Sequence, residues 1–510
     1  MSKVRQTPGV YIVEKGALPN SVVEVATAVP AFVGYTEKAV NKDKTLHNTP
    51  RRITSMTEYH DHFGSGPPIS YALSEKPVGS TADTVVRQGD KEYILERKSQ
   101  AYNLYWSMLL FYQNGGGPCY IVSIGDYSGA PEADKLKDGF ETLVTEQEPT
   151  MVVVPDAVLL AVDDCIGVQQ QSIKHCREMQ SRVSILDVHD GYKDRAEEPD
   201  CITAFRSKLG NDDLDYAAAY YPWIETTIVQ DSDLGVKSFD KATRATLQAL
   251  MKAELGIGET PEPGKQEQQA ELIGKLDGKS WSVEEQKDIE ANEKLLNKSL
   301  IAMSPAYKSL LHAIKSSVNL LPPSGALAGV YTMVDNTRGV WKAPANVSLN
   351  GVIRPAVNIS HDEQEDLNVT PQGKSVNAIR SFPGEGTLVW GARTLDGNSL
   401  DWRYINVRRT LIMLEQSLKL AIKTVVFEPN DANTWITVKN LARNFLTGIW
   451  KRGGLAGATP DDAFSVQVGL GETMTPDDIL EGILRITILV APTRPAEFIA
   501  ITFQQQMQKA

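Results

Sequence analysis

Three features of the sequence predict an α/β fold with extended strand arms at its N- and C-termini. Between Glu132 and Ile228, helical stretches alternate with short continuous apolar runs, which read as strands buried on both faces. From Ser381 to Leu420 the pattern is turn, strand, turn, strand, helix. Each chain end carries a short β-rich run set off by proline, Val10–Val13 before Pro19 and Phe498–Phe503 after Pro495.

The first 21 residues read as an arm outside any compact domain. Pro8-Gly9 precedes Val10, Tyr11, Ile12 and Val13, and such an arm reaches roughly 70 Å at about 3.3 Å per residue. Val22–Thr27 and Ala31–Tyr35 read as strands. His60 and His62 would share one side of a strand, as metal ligands can, but no further ligands cluster near them. Thr84–Arg97 reads as a hairpin about Gly89-Asp90. Ala101–Gln113 reads as a helix stopped by Asn114-Gly115-Gly116-Gly117. That glycine run follows a helix, whereas phosphate loops follow a strand.

In the alternating region, Met151–Val154, Val183–Val188 and Ala217–Trp223 are the strands, and Asp164–Gln180 and Cys201–Leu209 the helices. Asp156, Asp187, His189 and Asp190 fall near strand C-termini, where α/β enzymes place their chemistry. Residues 229–302 carry Gly256, Gly258, Pro261, Pro263 and Gly264 and then a polar stretch, KQEQQAELIGKLDGK, and Ser282 with Glu285 reads as a capping box. Gly373-Lys374-Ser375 ends like a phosphate loop but has Asn368 where the first glycine belongs. Gly469-x-Gly471 has Met474 where a dinucleotide fingerprint needs its third glycine.

Within Ser381–Leu420, Thr387–Leu395 and Trp402–Val407 read as strands. Leu411, Leu414, Leu418 and Ile422 then form one helical stripe. The next helix, from Thr434, buries Trp435, Val438, Leu441, Phe445 and Ile449. It keeps Lys439, Arg443, Lys451 and Arg452 off that stripe. Phe464–Val468 and Leu484–Val490 alternate as strands, and the last strand sets Ile499, Ile501 and Phe503 opposite Phe498.

Composition narrows the function classes. The chain has 510 residues, a net charge of −12 and a pI near 5.3, so it offers no global field for nucleic acid. Four cysteines form no CxxC pair, and no apolar run reaches membrane-spanning length. Met1-Ser2-Lys3 leads into no apolar h-region, which predicts a cytoplasmic protein that leaves the cell by lysis. The run Ser381–Leu420 has no nucleophile beside a base, no ligand cluster and no phosphate loop, which suggests a scaffold, and no enzyme activity, metal or cofactor is expected. The alternative is an α/β hydrolase-like or metal-dependent enzyme using Asp156, Asp187 and His189.

NAIRSFPGEGTLVWGARTL, WRYINVRR, FEPNDANTW and APTRPAEFI resemble the sheath protein of contractile injection systems and contractile phage tails. Fainter similarity lies in TPGVYIVE, YQNGGGPCYIVSI and YAAAYYPWIE. The resemblance implies an α+β core domain built from both chain ends, with an inserted α/β domain. On that basis the chain divides into an N-terminal linking arm (1–21), an N-terminal part with the hairpin (22–125), and an inserted outer α/β domain (126–330) that includes the polar insertion 229–302. A C-terminal core sheath domain (331–494) and a C-terminal linking arm (495–510) follow. It also implies hexameric rings stacked helically around an inner tube protein, with baseplate, terminal cap and, in some particles, paralogous sheath subunits as further partners. No nucleic-acid binding or direct membrane insertion is implied. Contraction would drive the tube through a target membrane. Val10–Val13, Phe498, Ile499, Ile501 and Phe503 would be the strands lent to neighbours. Lys439, Arg443, Lys451 and Arg452 would face the tube.

Overall fold

A computed structural model describes residues 22–77, 79–277, 281, 288–368, 370–371 and 373–499. The chain divides into two compact units. One contains residues 28–337 and 343–405. The other, the C-terminal unit, gathers residues up to 27, 338–342 and 406 onward.

The larger unit is an α/β fold on a nine-stranded sheet. Its parallel strands are β1 (Pro30–Gly34), β2 (Cys119–Ser123), β3 (Met151–Val153), β4 (Val183–Asp187), β5 (Ala217–Tyr221) and β6 (Asn377–Phe382). They lie in the order β2-β1-β3-β4-β5-β6, with β7 (Gly386–Trp390) antiparallel beside β6. The first five run 2-1-3-4-5, one of the two common doubly wound orders. All five are buried along their whole length, as continuous apolar runs require when helices cover both faces.

Alternate side chains of β1 show the two layers. Phe32 meets Phe111 of α1 (Leu104–Gln113), with ring centroids 5.2 Å apart. Val33 points the other way, under Gly139 of α2 (Ala133–Thr142), where an added Cβ would come within 2.5 Å of it. α3 (Val162–Met179) lies against β4, where Ser172 and Ser184 hydroxyls bond at 2.7 Å. α1 and α5 (Ser324–Arg338) touch backbone to backbone. A Cβ on Gly325 would stand 2.6 Å from Ser107 O, and one on Gly329 2.5 Å from Phe111 O. Tyr331 of α5 bonds Tyr220 of β5, hydroxyl to hydroxyl, at 2.7 Å.

The polar stretch 229–302 is more ordered than its composition suggests. It forms helices Arg244–Leu255, Lys265–Gly274 and Ile289–Met303, which bury Leu247, Leu250, Met251, Ile273, Leu276, Leu296 and Leu300 in one cluster with the hairpin residues Leu73 and Tyr93. Sparse apolar residues at helical spacing account for this, and the capping box at Ser282 lies outside the described residues.

The C-terminal unit packs α6 (Ile405–Ile422) and α7 (Ala432–Lys451) against a two-stranded antiparallel sheet, β8 (Phe464–Gln467) and β9 (Thr487–Val490). Helix α6 begins where a strand was expected. Of Trp402–Val407, Tyr404 makes one antiparallel bridge to Arg393, and Ile405 already opens the helix. The β-forming side chains there are overridden by burial of Ile405 and Val407. Val22–Thr27 is likewise no strand. Val25 N–H donates to Ser417 Oγ of α6 at 3.1 Å, and Val22 and Val25 pack on the unit's core. β9 covers only the second half of Leu484–Val490.

Candidate functional site: a two-stranded sheet with open edges

β8 and β9 pair Phe464 with Val490 through Gln467 with Thr487. Period-2 alternation turns Phe464 and Val466 into the core beneath α7, with Ile488 and Val490 packed on the same cluster. Leu489 points outward and is 61% exposed. Among the described residues no third strand joins this sheet, so β8 and β9 each keep an edge of unshared backbone donors and acceptors. Beyond β9, Ala491 and Thr493 N–H donate to Ala463 and Gly454 carbonyls. The chain then leaves the unit with Phe498 75% and Ile499 78% exposed, and neither lies in a strand. Of the expected arm residues, Val10, Tyr11, Ile12, Val13, Ile501 and Phe503 lie outside the described residues.

At the other end, Thr27 O accepts from Arg409 Nη2 at 2.9 Å, and Glu24 pairs with Arg452. Both ends of the described chain therefore belong to this unit.

The four cations of α7 are not equivalent. Arg443 pairs with Asp461 at 3.3 Å, and its guanidinium lies 6.0 Å from the Phe464 ring centroid. Arg452 holds Glu24 and stacks 5.1 Å from the Trp341 ring. Lys439 and Lys451 make no ion pair among the described residues. At 100° per residue Lys439 and Arg443 share a face and Lys451 stands about 80° round from Arg443.

The residues that favoured enzyme chemistry do other work. Asp156 is fully buried. Its Oδ2 accepts from Tyr35 N–H at 2.9 Å, and its Oδ1 accepts from Asn103 and Leu104 N–H at the start of α1. Burial pushes it up to about 6, and the three amides pull it back. It fills the crevice beyond β1 and β3 where a 2-1-3-4-5 sheet binds ligands. A Cβ on Gly34 would meet Asp156 Oδ2 at 2.5 Å and Leu104 Cβ at 3.1 Å. Asp187 accepts from Ser324 N–H at 2.8 Å and from its hydroxyl, capping α5, and burial pushes it up to about 7. His189 Nε2 lies 2.9 Å from Leu160 O. His60 and His62 sit on a helix, Met56–Phe63, not a strand, and bond separately to Tyr105 Oη and Val40 O. Lys374 is buried against Arg206 O rather than offered to a phosphate.

No group of three or more His, Cys, Asp or Glu residues among the described ones is placed to hold a metal ion. No described helix is long and apolar enough to cross a membrane.

Residues 398–506, which include β8, β9 and the outgoing chain, match the family described as phage tail sheath C-terminal domain. The tail sheath protein of Vibrio phage KVP40 is 26% identical over 187 residues, 36% of this chain and 26% of that protein. That of Burkholderia phage BcepMu is 31% identical over 117 residues, 22% of this chain and 24% of that protein. These matches thus span about a quarter of each relative. Over 99% of the chain, the fold superposes on the sheath of an extracellular contractile injection system, the PVC sheath complex in its contracted state. That match covers 99% of the sheath chain, with 26% identity and a TM-score of 0.60. The contracted helical sheath of the anti-feeding prophage gives 27% identity and 0.58, covering 99% of this chain and 100% of that one. The match to the sheath C-terminal domain family thus lies on a chain whose whole fold is similar to that of contractile sheath proteins.

In the matched residues the sequence also missed the turn Val426-Phe427-Glu428 between α6 and α7. Nothing in FEPNDANTW alone says that Phe427 is held out in solvent, because exposure there depends on how the two helices are joined.

Proposed function

We propose that this chain is the structural subunit of a contractile sheath, stacked as hexameric rings around an inner tube, which contracts to drive the tube through a target membrane. The observation that carries the reading is the two-stranded sheet of the sheath domain. Among the described residues its edges are open, and both ends of the described chain, from which the apolar strand sequences continue, belong to the same unit. Val10–Val13 and Phe498–Phe503 of neighbouring copies complete that sheet by β-augmentation. Backbone pairing tolerates rotation of the rest of each subunit, so rings move relative to one another without separating. The energy comes from a metastable lattice relaxing to a better packed one, with no nucleotide consumed.

The arms 1–21 and 495–510 thus act as linkers. Lys439 and Lys451, with Arg443 and Arg452 as internally braced neighbours, face an acidic strip on the tube through a weak, salt-sensitive contact. Baseplate and terminal cap proteins close the two ends of the polymer, assembled in the cytoplasm and released by lysis. Removing the chain before Gly16, or after Arg494, leaves a folded subunit that no longer builds tubes in negative-stain microscopy. Ordered tubes from either truncated chain would sink the arm-exchange reading.

A further inference from the structure

The turn between α6 and α7 holds Phe427 at 102% exposure with φ +74°, a left-handed conformation unusual for a bulky residue. Leu420 and Val426 beside it are each 57% exposed. The turn is braced. Glu428 N–H donates to Val425 O at 3.0 Å. Asn430 donates through Nδ2 to Ile483 O at 3.1 Å and accepts from Trp435 Nε1 at 2.7 Å. A large aromatic held outward on a rigid turn has little conformational freedom left to lose on burial, as an interface anchor requires. Lys419 and Lys423, also exposed, make no ion pair among the described residues.

The larger unit has a hollow of about 230 Å³ at the carboxyl ends of β1 and β2, with Ile124, Gly125, Ala130 and Tyr35 in its wall beside His47 and the Lys135–Glu132 ion pair. Asp126 stands at its rim. Its carboxylate accepts from the Ser128 hydroxyl and from Ser128 N–H at 3.0 Å, which together hold it below its ordinary pKa, and it makes no ion pair with a lysine or arginine among the described residues. Among the described residues the C-terminal unit carries 12 Lys and Arg against 11 Asp and Glu, and the larger unit 34 against 50. The acidic larger unit of one copy therefore repels the near-neutral C-terminal unit of a second copy far less than it repels another larger unit. A contact between different surfaces of identical chains repeats from copy to copy, closing into a ring or running on as an open helix according to its rotation.

We propose that Phe427 of one copy enters the Asp126 hollow of a second copy, with Lys419 and Lys423 facing that carboxylate. The contact rests on the reading of the chain as a self-polymer. All four native cysteines are buried, so introduced thiols report the contact cleanly. In full-length chains assembled into tubes, Phe427→Cys with Ala130→Cys yields an oxidised ladder of multimers on non-reducing gels. Neither single variant does. Lys423→Glu raises the subunit concentration needed for tubes about tenfold, and Asp126→Lys in the same chain restores it. Normal tubes without a ladder overturn the contact and leave the polymer reading standing. So does cross-linking of Phe427→Cys to a different polypeptide, which assigns the turn to the inner tube. A native chain that forms no tubes overturns both.

Discussion

The nine-stranded sheet and the small sheet of β8 and β9 treat their exposed chemistry in opposite ways. The parallel sheet of the larger unit ends in a crevice where doubly wound folds bind ligands, and the chain has filled it with Asp156, Asn103 and Leu104. The small sheet of the C-terminal unit keeps its edges open, and the outgoing chain carries Phe498 and Ile499 into solvent. One sheet spends its polar groups on itself, so it resists distortion. The other leaves its edges unshared among the described residues. The proposed sheath subunit, which would move as a body while staying tied to its neighbours, needs that division, with rigidity inside the larger unit and unshared edges in the small sheet.

Breaking the rigid half has the largest effect. Gly329→Leu drives a side chain into Phe111 O and Asn114, backbone and Cβ that cannot step aside. The expected loss is about 3 kcal/mol, at the upper end for overpacking, read as a fall in denaturation midpoint. A loss below about 1 kcal/mol would show that α1 and α5 can separate without penalty.

The two capping aspartates sharpen the contrast through pH. Asp187 titrates near 7 when folded, against about 3.9 in an unfolded chain. The folded state then holds the extra proton, so the stability it contributes is fully present below about pH 4 and lost as pH rises through about 7. Asp187→Asn keeps an acceptor for Ser324 N–H but does not titrate. Its unfolding free energy relative to the native chain should rise with pH over that window, by on the order of a few kcal/mol. A difference that stays flat from pH 4 to 7 would mean that Asp187 is ionised throughout, with the Ser324 bonds outweighing burial.

The sequence made the buried strands plain, because a run such as Met151–Val154 admits few other readings. It also located Asp156 and Asp187. Their roles as caps were hidden, since each cap joins residues far apart in the chain: Asp156 to Asn103, Asp187 to Ser324. Helix α6 was cut short for a related reason. Trp402, Tyr404 and Val407 favour strands locally, and only tertiary burial of Ile405 and Val407 turns them. In residues 229–302 the polar residues and the breakers Gly256, Gly258, Pro261, Pro263 and Gly264 hid the spacing of the buried leucines that order the helices. The open edges of β8 and β9 could not be read at all, since a sequence shows strands but not which of them lack neighbours.

On the open side, charge reversal tests the tube contact. Arg443 is already engaged by Asp461, so Lys439→Glu should account for most of the effect of the pair Lys439→Glu with Arg443→Glu. Particles of the double variant should form empty or contract early, most severely at low salt, where the reversed charges repel the strip unscreened. Equal tube retention at every salt concentration would remove α7 from the tube interface.

The smallest effect belongs to a single arm side chain. If Val10–Val13 adds a strand to a neighbour's sheet, most of its grip is backbone hydrogen bonding, which depends little on which side chain stands at each position. Tyr11→Ala removes one aromatic contact, worth about 0.2–1 kcal/mol across a strand pair, and leaves the peptide groups in place. Tubes should still assemble, at a subunit concentration raised several-fold at most, while removal of the arm abolishes them. The ratio between the two results is the measurement that matters. If Tyr11→Ala is as damaging as truncation, the arm works as an anchor in a pocket, and the open edges of the small sheet have some other partner.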